Sequence, residues 1–151
     1  MKIVKIITLV LLLVFVGIQF IPTTLNHSNS IPKTDFMIVN NVPKSIHKKL
    51  KVSCYDCHSN NTEYPWYNRI QPVAWLLENH IKEGKSELNF NEWENYSNRR
   101  KKNKLKSIIS QIEKDKMPMY SYTILHGEAK LSENDKKALI IWVSQLRDSL
   151  K

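Results

Sequence analysis

The stretch Ser53-Cys54-Tyr55-Asp56-Cys57-His58-Ser59-Asn60 holds both cysteines of a 151-residue chain within four residues, with a histidine directly after the second. Three chemistries use such a stretch. C-x-x-C can cycle between dithiol and disulfide, two cysteines can supply half of a zinc site, and C-x-x-C-H can take a covalently attached haem.

A thioredoxin-like dithiol needs its motif at a helix N-terminus beside a βαβ pattern, and the flanking sequence offers no strands. Structural zinc takes four ligands, whereas His27, His47, His80 and His126 are scattered singly. Haem attachment asks for two thiols to bond two vinyl groups while the next residue reaches the iron. Cys54 and Cys57 then become the thioether residues, and His58 the proximal ligand.

Working outward, Ile46, Leu50, Cys54 and Cys57 fall at i, i+4, i+8 and i+11, which puts both sulfurs on the apolar stripe of a short helix. A second stripe, Val73, Leu76, Leu77, His80 and Ile81, follows Pro72 and is expected to end at a Gly84 C-cap. Leu105, Ile108, Ile109 and Ile112 mark a third helix that stops before Met117-Pro118. Ser132 with Asp135 signals a capped start for a last helix carrying Leu139, Trp142, Val143, Leu146 and Leu150 inward. No alternating strand pattern or internal repeat appears, so the expected class is all-α.

Ahead of these blocks, Met1-Lys2-Ile3-Val4-Lys5 carries two lysines and Ile6 to Ile21 carries no charge. This pattern predicts an N-terminal transmembrane helix as an uncleaved anchor over residues 1–22, lysines on the cytoplasmic side. A cleaved signal peptide is the alternative, although Gln19-Phe20-Ile21-Pro22 contains no small-residue cleavage site. Residues 23–41 are polar, lack a period and read as a linker, leaving 42–151 for the folded domain. The domain is thereby expected outside the cytoplasmic membrane, single-pass, where covalent haem attachment takes place.

Net charge is +9, concentrated in Arg99-Arg100-Lys101-Lys102-Asn103-Lys104-Leu105-Lys106. For an exported chain the block argues against nucleic acid and for a solvated face or a dock for an acidic redox partner or anionic headgroups. The sixth iron position is left open between two main candidates. Met117 precedes a proline, which biases it to an extended loop able to reach the distal face. His80 is a nitrogen ligand on an apolar helix face, with Met119 and His126 as further candidates. Tyr64, Trp66, Tyr67, Trp75, Trp93 and Trp142 serve either as a wall for a porphyrin or as plain core.

The sequence from Cys54 through HIKEGKSELNF (80–90), followed by KMPMYSYTILHGEAKLS (116–132) and an amphipathic C-terminal helix, resembles the haem-binding domain family of membrane-anchored bacterial c-type cytochromes. The likeness covers Val42 to about Leu146 and rests on the YPWY, HIKEGKSELNF and LHGEAKLS stretches more than on the haem motif. It implies a small helical cytochrome c-like domain with one covalent haem c, and a histidine at the place of His80. Family members often show M-P-P and His-Pro where this chain has Met117-Pro118-Met119 and His126-Gly127. The function expected is one-electron transfer rather than catalysis. Its rivals are a haem-based sensor or small peroxidase with a weak or open sixth position, and a haem-free thiol oxidoreductase.

Overall fold

The computed structural model describes residues 1–150, and among these there is no strand. Eight α-helical segments follow in order: α1 Lys2–Ile18, α2 Phe36–Val39, α3 Lys44–Leu50, α4 Asp56–His58, α5 Val73–Glu87, α6 Asn98–Glu113, α7 Tyr120–Thr123 and α8 Glu133–Ser149. A wide π-turn, Lys51–Tyr55, joins α3 to α4, and tight 3-10 turns occupy Trp66–Arg69, Phe90–Asn95 and Gly127–Ala129. The all-α expectation holds in this respect.

The expected transmembrane helix is corrected. α1 has 17 residues, about 25 Å of helix where a bilayer core needs about 30 Å. No helix among the described residues is long and apolar enough to cross a membrane. The single-pass anchor, and the placement at the cytoplasmic membrane that followed from it, are therefore not supported. Hydropathy extended the run to Ile21, but the helix stops where Gln19 meets Gln71. The Gln19 side chain donates to the Gln71 carbonyl at 3.1 Å and accepts from the Gln71 amide at 2.9 Å, while Gln71 Nε2 donates to the Ile21 carbonyl at 3.1 Å. The chain turns there onto the body.

Residues 23–41, read from composition as a linker, are fastened to that body. Asn26 bonds Ser59 and Thr62 with its side-chain nitrogen and receives Lys85 Nζ on its oxygen. Asp35 caps α2 and is 1% exposed, its carboxylate accepting from the Met37 amide, the Tyr55 hydroxyl and Asn91 Nδ2. Phe36, fully buried, sits edge-on to Trp93 with centroids 4.7 Å apart and also meets Phe90 and Trp142. An aromatic anchor of this kind carries a large share of a small core.

α6 and α8 pack along each other and bury Leu105, Ile109 and Ile112 against Leu139 and Val143. Ser132 and Asp135 form a reciprocal capping box at the start of α8. α5 runs on past Gly84 to Glu87, so the expected C-cap is displaced by one turn. Its expected buried stripe is split: Ile81 is buried, as is Ala74 outside the stripe, while Val73 and Leu76 are exposed. The helix buries its Ala74–Ile81 side and turns the side of His80, Gly84 and Glu87, spaced at i, i+4 and i+7, toward a cleft.

Candidate functional site

The motif lies where α3 changes pitch. Ile46 and Leu50 are buried, and the π-turn then widens the helix so that Ser53 points inward and donates to the Ala129 carbonyl at 2.8 Å. Such wide turns recur at functional sites because they re-aim side chains without ending the helix. Cys54 and Cys57 follow, half-buried and unpaired. Burial pushes the Cys54 thiol up to about 12 and the Cys57 thiol up to about 11.

His58 is held by two main-chain carbonyls. Its Nδ1 is 2.8 Å from the Gly84 oxygen and 3.0 Å from the Leu88 oxygen. Carbonyls only accept, so Nδ1 carries the hydrogen and donates to both, and Nε2 keeps a free lone pair. Burial also lowers the His58 pKa below its ordinary value, which keeps the ring neutral. A neutral imidazole fixed through one nitrogen is the form a metal ligand requires.

The close approach of α5 depends on Gly84. A Cβ there would lie 2.7 Å from the Cys57 carbonyl oxygen. Cys54, Cys57 and His58 line a cleft of about 210 Å³ together with His80 and Gly84 of α5, Met117 and Met119 of the loop before α7, and Tyr122 of α7. The cleft is mainly apolar and open to solvent at Met117, which is 36% exposed. Glu83 and Glu87 bring carboxylates to its rim.

The structure thus brings together all five residues singled out for the site. Met119 joins them, but His126 does not. Its Nε2 shares a 2.7 Å hydrogen bond with the Tyr67 hydroxyl, and its ring stacks on Tyr122. Trp93 belongs to the core, Trp66 is exposed, and Tyr64 and Trp75 line other surfaces. Among the described residues, no group of three or more His, Cys, Asp or Glu side chains converges as a metal-binding set, so the ligand set of a structural zinc is not assembled. Sequence reading passed over Asp56 and Tyr122, whose hydrogen bond spans 66 residues. It also missed the packing role of Gly84, for which the i+4 spacing from His80 was the available signal.

An all-helical fold that presents an oriented, neutral imidazole beside two free thiols in one apolar cleft fits a haem protein. Residues 13–145 match the haem-binding domain family, and the chain belongs to it. Comparisons with curated proteins and with solved structures gave no match.

Proposed function

We propose that the chain is a c-type, single-haem electron carrier. Cys54 and Cys57 would hold the haem covalently, each thiol adding across a vinyl group so that sulfur bonds one carbon and the proton goes to the other, with nothing oxidised or reduced. His58 Nε2 would take the proximal side of the iron, and Met117 or His80 the distal side. The observation that carries this reading is the pair of carbonyls on His58 Nδ1, which fixes the tautomer and frees Nε2 beside both cysteines.

Bound haem supplies a reversible one-electron iron couple. The residues do the rest. Gly84 and Leu88 hold the imidazole and raise its basicity through their carbonyls, the cleft supplies mainly apolar walls, and the choice of distal ligand sets the potential, higher for Met117 than for His80. The basic face of α6 serves an acidic redox partner. Within that face Lys101 is paired with Glu94 and Arg100 lies over the Tyr96 ring, leaving Arg99, Lys102 and Lys106 exposed.

A second reading, a sensor or small peroxidase with an open sixth position, is favoured by the exposure of Met117. A denaturing gel of protein made with haem-attachment machinery, stained for haem peroxidase activity, tests covalent attachment. Absence of a band overturns it. Visible and near-infrared spectra of Met117→Ala and His80→Ala then assign the distal side: loss of the sulfur-to-iron band in the first alone identifies Met117, and a high-spin ferric wild type supports the open site.

A further inference from the structure

Asp56, the second residue between the two cysteines, joins three segments. Its Oδ1 accepts from the Glu63 amide at 3.1 Å, its main-chain carbonyl accepts from Thr62 Oγ1 at 2.6 Å, and its Oδ2 accepts from the Tyr122 hydroxyl at 2.6 Å. Tyr122 stands on α7, five residues after Met117, and lines the cleft. Its ring is backed by His126, centroids 4.4 Å apart and nearly parallel, and His126 is in turn bonded to Tyr67.

The Tyr122 hydroxyl also lies 3.5 Å from the Val52 carbonyl, and beyond α7 the Ala129 carbonyl accepts from Ser53. The Lys116 and Met117 amides bond back to Gln111 on α6, and the α7 amides bond within their own turn. Burial and the Asp56 carboxylate hold the Tyr122 phenol well above its ordinary value, so it remains a donor throughout the physiological range. A hydrogen bond to a carboxylate at this distance is of the strong, charge-assisted kind.

We infer that Tyr122 is a positioning residue for the distal side: its bond to Asp56 latches α7, and with it the Met117–Met119 loop, onto the wall that carries Cys54, Cys57 and His58. The inference rests on the haem reading above and adds a gate to it. External ligands reach the sixth position when the loop swings out, and that motion requires the latch to break. An opening that must break a bond to a charged acceptor becomes about 10- to 100-fold more frequent once the bond is removed.

The test uses the full chain with covalent haem, in the ferric state, and follows imidazole binding by stopped flow. Tyr122→Phe is expected to bind about 10- to 100-fold faster than wild type. Asp56→Asn, which keeps the shape but offers a neutral acceptor, is expected to give a smaller acceleration, and adding Tyr122→Phe to it is expected to give less than the full effect. A Tyr122→Phe rate equal to wild type overturns the latch. Should that variant fail to accumulate, an Asp56→Asn rate equal to wild type overturns it instead. If wild type shows no covalent haem on the denaturing gel, the haem reading fails separately. Amide hydrogen exchange over residues 120–126 of the haem-free chain then reads the latch directly: faster exchange in Tyr122→Phe supports it, and unchanged exchange overturns it.

Discussion

Gly84 rests on the main chain of Cys57, so closely that a Cβ on Gly84 would stand 2.7 Å from the Cys57 carbonyl oxygen and 3.2 Å from its Cβ. The same contact places the Gly84 carbonyl 2.8 Å from His58 Nδ1. Alanine at an interior helix position ordinarily gains about 1 kcal/mol over glycine. Here the obstructing atom is backbone and cannot swing aside, so α5 must move, and overpacking of that kind costs about 1–3 kcal/mol. Gly84→Ala is expected to destabilise the protein by up to about 2 kcal/mol and to lower haem content per chain. Urea unfolding together with the haem-to-protein absorbance ratio measures both. A more stable variant with full haem content would show that the contact does not constrain the site.

The thiols separate the haem reading from its dithiol rival. A redox dithiol works through a thiolate near neutral pH, whereas burial raises Cys57 from an ordinary 9.0 to about 11 and Cys54 to about 12. Two units leave Cys57 with roughly a hundredfold less thiolate than an exposed cysteine. In the haem-free chain, iodoacetamide alkylation at pH 8 is expected to be correspondingly slow and to accelerate only above pH 10. Alkylation at the rate of a free cysteine would restore the oxidoreductase reading.

What the sequence made legible is what short spacing determines. The Ser132–Asp135 capping box, the Ile46–Leu50 and Leu139–Val143 repeats, and the adjacency of Cys54, Cys57 and His58 each depend on residues within about one to three helical turns. What stayed hidden depends on partners far along the chain. Hydropathy measures how apolar residues 6–21 are, but the end of α1 is set by Gln19 bonding Gln71, 52 residues away. Helical period places His80, Leu76 and Ile81 near one another, but which side of α5 faces core and which faces cleft depends on Gly84 meeting Cys57. Composition made residues 23–41 look like a linker, because Asp35 and Phe36 show their role only beside Tyr55, Asn91 and Trp93.

Phe36 tests that last point. It is wholly buried among Phe90, Trp93 and Trp142. Truncating such a ring removes both its burial and its packing, at a cost of about 3–5 kcal/mol. Phe36→Ala is expected to lose stability on that scale in urea unfolding at constant m-value. A loss within about 0.5 kcal/mol, the range of ordinary surface changes, would show that residues 23–41 are a tether after all.

Asp135 gives the fold an acid dependence of its own. The Ser132 hydroxyl, then Lys49 at 3.0 Å and the Ser132 amide, hold its carboxyl down to about 2 from an ordinary 3.8. The folded value lies below the unfolded one, so on acidification the unfolded chain takes up the proton first. The stabilisation is therefore whole above pH 3.8, declines as pH falls toward about 2, and is gone below that. Asp135→Asn cannot titrate and loses the charge opposite Lys49. It is expected to melt below wild type at pH 5–6, with the two melting curves drawing together as pH falls through this window. Thermal midpoints followed by far-ultraviolet circular dichroism from pH 2 to pH 6 measure the difference. A wild-type-to-variant gap that stays constant across the window would mean that the Ser132 and Lys49 contacts do not hold the carboxylate in solution.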